Sequence, residues 1–207
     1  MSHRIAATTI TSLLFLFCTG CNFPKITITV TVSAQGQATV LHEKTFSAIS
    51  KTDAINNSPV AVDDLVDADP TLTYTSTAPA QALVTVTTDT GQTYTQFFNM
   101  VQTDASSFAP AASGMQTYAF VAQDPSAVNT FIQSAASHAS STLTVDVQAR
   151  TAFQGPTDGT SHTVIGRQYT ASDGVTDLGS VTYVAPTPST CDNSGGFSEN
   201  QIGPCLN

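Results

Sequence analysis

From Lys25 onward the chain alternates between apolar and polar positions. In "KITITVTVS" the residues Ile26, Ile28, Val30 and Val32 share one face, and Thr27, Thr29 and Thr31 share the other. This is the period of a strand, and the β-branched residues fit a pleated surface. "AQGQ" at residues 34–37 turns the chain, and "ATVLHEKTF" predicts a returning strand. "ALVTVTT" and "QTYTQFFNMV" flank "DTGQ", a hairpin signal in which Gly91 supplies a positive φ. "MQTYAFVAQ" reads as another strand. In "TLTVDVQARTAF" the residues Leu143, Val145, Val147 and Ala149 face one way. "SHTVIGRQYTA" and "LGSVTYVA" flank "SDGVTD" as a last hairpin. Adjacent Phe97 and Phe98 break the alternation of their strand, so one of the two is a candidate for exposure.

The period changes clearly once. In "DPSAVNTFIQSAASHASS", Val128, Phe131, Ile132, Ala135, Ala136 and Ala139 recur at i, i+3, i+4 and i+7. That spacing predicts an amphipathic helix, with Asp124 or Ser126 near its start. Residues 47–70 are less regular. Pro59 there predicts a short helix capped by Ser58, with Val62, Leu65 and Val66 on one face.

About nine strand signals and one amphipathic helix predict a mostly β fold, an antiparallel β-sandwich. The alternative is an α+β open sheet with the helix on one face. One β-rich domain spans 26–185. Residues 186–207 form a tail, opened by Pro186 and Pro188, which keep it extended.

Composition sharpens this reading. Hydrophobic residues make up 41% of the chain and charged ones only 10%, against an ordinary charged share of about a quarter. Fifteen acids against six bases give a formal charge of −9. A nucleic-acid partner requires a basic stripe, and none is present. The same acidity opposes attraction to anionic lipid by charge alone.

The leader suggests another route to a membrane. After "MSHR" comes an apolar run, densest over Leu13 to Cys18 and too short for a membrane span. It continues into "LLFLFCTGCNF", where Thr19 and Gly20 precede Cys21. This segment resembles the lipobox leader of bacterial lipoproteins, in which a cysteine behind small residues is lipidated and becomes the mature N-terminus. The family pattern has an aliphatic residue three positions before that cysteine, where this chain has Cys18. The resemblance covers the leader alone. It implies a signal peptide over 1–20 and a lipidated Cys21 on a short tether over 21–25. The protein would then be held on the bilayer by two or three acyl chains such as palmitate. Asn22 after the cysteine leans toward the outer membrane if the cell is Gram-negative.

With Cys18 removed and Cys21 acylated, Cys191 and Cys205 remain. Two thiols in an exported chain are expected to pair, closing a loop of about 15 residues worth about 3 kcal/mol.

Three functional classes follow. The first is an envelope lipoprotein with a structural or binding role, no catalysis and no cofactor, whose partners are the bilayer and an envelope protein or glycan. The second is a secreted binding module or adhesin, released by ordinary signal peptidase. The third, a small exported hydrolase, draws on His42, His138 and His162, but no catalytic motif accompanies them. His42 and His162 are expected at the surface, and His138 late in the helix. Asp63, Asp64, Asp67 and Asp69 form the densest acidic cluster. Four carboxylates are a weak candidate for calcium. A solvated helix face is the expected reading.

Overall fold

The computed structural model describes residues 25–56, 60–75, 79–105, 114–170 and 174–187. In chain order the elements are β1 (Lys25–Val32), β2 (Gln37–Ser50), α1 (Lys51–Asn56), β3 (Asp63–Ala68), β4 (Thr73–Tyr74) and β5 (Gln81–Thr88). There follow β6 (Thr93–Thr103), β7 (Gln116–Ala122), α2 (Pro125–Ser137), β8 (Thr142–Gln154), β9 (Ser161–Thr170) and β10 (Gly174–Val184). Among the described residues, ten strands and two helices make this a mostly β fold, antiparallel at every pairing.

The alternation seen in the sequence becomes burial. Ala38, Val40, His42 and Lys44 on β2 are buried, as are Leu143, Val145, Val147 and Ala149 on β8. Val84 and Val86 of β5 lie on the same inner face, and Phe120 and Phe153 fill the middle. Tyr74 packs edge-on to both of these rings, at centroid distances of 4.9 and 6.3 Å, and Tyr118 meets Phe153 at 5.0 Å. Such pairs add roughly 0.5–1.5 kcal/mol each beyond the area they bury.

The strand order is β1-β2-β8-β5-β6-β7-β3-β9-β10, with β4 on β8 beyond the end of β5. The two halves of the sheet share one strand. The first part of β6 pairs with β5, through Thr93–Asn99, and the last part pairs with β7, through Met100–Thr103. The sheet therefore turns over on itself at β6. The sandwich expected from the sequence takes the form of one nearly closed sheet, whose edge strands β1 and β10 approach each other. Across that seam Ile28 of β1 packs onto Gly166 of β9, where a Cβ would stand a tight 3.1 Å from Ile28 Cδ1.

The helices follow local rules. Asp124 caps α2, its carboxylate accepting from the Ala127 N–H at 3.0 Å, and Pro125 opens the first turn. Val128, Ile132, Ala135 and Ala136 are its buried side. The six-residue α1 was not foreseen. It follows a bulge between Phe46 and Ile49, where Ala48 takes φ 55° and bends the end of β2.

The short helix expected behind Pro59 is corrected. Residues 57–59 lie outside the described ones, and residues 63–68 are the strand β3. Leu65 and Val66 do not share a face. Adjacent strand residues point to opposite sides, and β3 is buried on both faces from Asp64 to Ala68.

Candidate functional site

The four aspartates of the acidic cluster sit on β3 and just beyond it, and each meets a base on another strand. β2 faces β3 from across the interior and brings His42 and Lys44. β9 lies beside β3 in the sheet and brings Arg167 and His162. One central acidic strand thus takes two bases from each side.

The innermost pair is His42 with Asp64, Nδ1 to Oδ1 at 2.7 Å, both side chains wholly buried. An ionised carboxylate only accepts, so in a bond to the Asp64 carboxylate His42 Nδ1 is the donor. His42 Nε2 and Asp64 Oδ2 have no hydrogen-bond partner. Gly166 faces the free edge of the ring, where a Cβ would come within 3.4 Å of Nε2. One turn of alternation away, Lys44 Nζ donates to the Asp63 carbonyl at 2.9 Å and to Asp63 Oδ1 at 2.7 Å. The lysine is 2% exposed and its aspartate 30%. On the face of β3 opposite Asp64, Asp67 accepts from Arg167 Nη1 at 2.9 Å and from Thr117 Oγ1 at 2.6 Å.

The fourth aspartate builds a more elaborate arrangement. Asp69-Pro70-Thr71 and Asp158-Gly159-Thr160 are two copies of one turn. In each, the threonine N–H and hydroxyl both donate to the Oδ1 of its own aspartate, at 3.0 and 2.7 Å in the first and 2.9 and 2.8 Å in the second. His162 is 4% exposed and sits between them. Its Nδ1 is 3.1 Å from Thr71 Oγ1, and its Nε2 is 3.0 Å from Thr160 Oγ1. Behind the hydroxyls stand Asp69 Oδ2, 3.6 Å from Nδ1, and Asp158 Oδ1, 3.8 Å from Nε2. The Thr71 hydroxyl and N–H hold the Asp69 carboxyl below its ordinary 3.8. The Thr160 N–H and hydroxyl do the same for Asp158. Tyr183 lies beside His162 with ring centroids 5.8 Å apart, and burial pushes its phenol up to about 12.

No family model, curated protein or solved structure matches this chain.

Several expectations change accordingly. The acidic cluster is not a solvated helix face, because Asp64 and Asp67 are 1% and 0% exposed. Nor do the four carboxylates converge on one point, since each turns to a different base. Among the described residues no group of three or more His, Cys, Asp or Glu is placed to hold a metal ion. His42 and His162 are core residues, not surface ones. The signal for His42 was present in the alternation, since it shares parity with Ala38 and Val40, and Lys44 continues that row. His138 ends α2 as its C-cap, and its ring stacks on Tyr94 at 5.4 Å. Of the two phenylalanines, Phe98 is buried against Phe131 and Phe97 is 66% exposed. Cys21, Cys191 and Cys205 lie outside the described residues, as do the leader and most of the tail.

A cleft of about 360 Å³ opens near the start of β3, lined by Val60, Val62, Asp63, Val121, Pro125 and Val128. It is largely apolar, with Asp63 supplying a carboxylate already engaged by Lys44. Chemically, the acidic strand fastens the molecule together. His42 is sealed from solvent. The hydroxyls beside His162 give their protons to aspartates, whereas an activated nucleophile would give its proton to the imidazole.

Proposed function

We propose that this is an exported, lipid-anchored protein of the cell envelope, with a structural or binding role and no catalysis. The observation that carries the reading is "LLFLFCTGC" ending at Cys21, directly ahead of the first strand. Because β1 begins at Lys25, only Asn22, Phe23 and Pro24 would separate the acylated cysteine from the sheet. At about 3.3–3.6 Å per residue this tether reaches roughly 11 Å, which keeps the domain against the bilayer. Two or three acyl chains, each gaining about 0.8 kcal/mol per buried methylene, hold it there durably. No helix among the described residues is long and apolar enough to cross a membrane. The fastened geometry around His42 and His162 supports a non-catalytic role. Exposed Phe97 offers an envelope protein or glycan an aromatic contact. Asn22 favours the outer membrane in a Gram-negative cell.

The secreted-module reading is favoured by one residue, Cys18, which stands where lipoprotein leaders have an aliphatic side chain. Intact mass of the mature protein, with and without reductant, separates the two. A chain starting at Cys21 and carrying acyl chains, lost in Cys21→Ser, is the expected result. An unacylated N-terminus would overturn the anchor. A gain of about two mass units on reduction is expected from a Cys191–Cys205 bridge.

A further inference from the structure

The two Asp-x-Thr turns fix more than the position of His162, because they fix the direction of every hydrogen bond around it. A threonine hydroxyl has one proton. Thr71 gives its proton to Asp69 Oδ1 at 2.7 Å, and Thr160 gives its proton to Asp158 Oδ1 at 2.8 Å. A carboxylate accepts only, so neither bond can reverse. Each threonine oxygen therefore presents only lone pairs to the ring nitrogen it faces. Both contacts with His162, at 3.1 and 3.0 Å, then require the imidazole to donate from both nitrogens. A neutral imidazole has one N–H, and only the imidazolium has two. Each nitrogen also has a carboxylate oxygen within 4 Å, so the added charge lies between two opposite ones.

We propose that His162 is a proton-operated latch: as the imidazolium it ties the loop after β3 to the loop before β9, and on losing a proton it releases one of the two. The neutral ring can keep one donated bond. At the other nitrogen, the threonine must either turn its hydroxyl away from its aspartate or lose contact with the ring. Among the described residues, three titratable groups stand against the ring. Asp69 comes from the loop before β4 and Asp158 from the loop before β9. Tyr183 on β10 is the third, and its phenol adds no charge at ordinary pH. An exported domain takes the pH of its surroundings, and this latch would report it at the end of the sheet that also holds the β1–β2 turn. There Gly155 N–H donates to the Gly36 carbonyl at 2.9 Å. The proposal stands whether or not the chain is lipid-anchored.

The test uses the whole folded protein labelled with nitrogen-15. Long-range proton–nitrogen spectra distinguish a ring with two N–H groups from either neutral tautomer, without any substitution. Across the titration the form with both ring nitrogens protonated is expected to be the one in which the Thr71 and Thr160 contacts are both held, while His138, stacked on Tyr94 near the surface, serves as the internal comparison. As pH rises, the backbone N–H signals of Thr71 and Thr160 are expected to shift together with the His162 ring, and this joint shift should vanish in His162→Gln. A His162 ring that keeps a single N–H at every pH at which the protein stays folded overturns the proposal. So does a His162 titration that leaves both threonine amides unmoved.

Discussion

Replacing His42 and Asp64 singly and together tests whether the buried pair acts as one unit. Both side chains are wholly buried and share a single 2.7 Å bond. His42→Leu leaves the Asp64 carboxylate in the interior with no partner. Breaking a buried pair in this way costs about 3–5 kcal/mol. Asp64→Leu is milder, because an imidazole left alone can stay neutral, and an unsatisfied neutral polar group costs about 1–3 kcal/mol. The double replacement removes both polar groups, and with them the unpartnered Nε2 and Oδ2. Such exchanges are often neutral or stabilising by about 1–4 kcal/mol. The two single costs should therefore largely disappear in the double variant, giving a coupling energy of at least about 3 kcal/mol. Urea unfolding at pH 7, with the slope m compared across all four proteins, measures this. Heating gives a second reading, with His42→Leu lowering the midpoint by roughly 6–20 °C. If the double variant merely sums the two single costs, the pair is not a unit. The account of β3 as an acid strand matched to its bases would then fail at its centre.

Three further outcomes are expected. Gly36→Ala should destabilise by about 2 kcal/mol or more in urea, because φ is +79° there and the new Cβ would stand 2.7 Å from the Gly155 carbonyl oxygen. Asp124→Ala should cost about 1 kcal/mol by removing the cap of α2, while Asp124→Asn should retain most of it. Acid should weaken the fold through Asp69, Asp89 and Asp158. Hydrogen bonds hold all three below 3.8, those to Asp89 led by the Ser140 N–H and the Ser141 hydroxyl. A lowered carboxylate contributes stability that is whole above the unfolded value and lost as pH falls through the folded one. Thermal midpoints of the wild type and a triple Asn variant should thus converge as pH drops from 5 to 2, and parallel curves would contradict the assignment.

The sequence announces most elements whose partners are local or whose faces are uniform. The β1–β2 and β5–β6 hairpins are legible because apolar and polar residues largely alternate along them, Phe97 being the clear break, and Gly36 and Gly91 mark the turns. α2 is legible because six apolar residues hold one stripe behind a capping aspartate. β3 is not legible, since Asp63, Asp64 and Asp67 fall on both of its faces and mask the alternation. Its acids become intelligible only with partners far along the chain. Lys44 lies 19 residues from Asp63, and Arg167 lies 100 from Asp67. The two Asp-x-Thr turns flanking His162 were visible as residues, but nothing local brings them together. That takes the pairing of β3 with β9.

Strand β8 also governs when the molecule can fold. It takes β2 along one edge, and β5 and β4 along the other. Thr45 and Asp146, joined side chain to side chain at 2.6 Å, are 101 residues apart. A chain emerging N-terminus first can close the β1–β2 hairpin and assemble β5 to β7 early. Those two pieces cannot join until residue 154 is free. Contacts so distant along the chain are slow to form, and antiparallel β domains of this kind refold in roughly milliseconds to seconds. Both pieces therefore depend on β8: without it, β2 and β5 each present an open edge to the same strand.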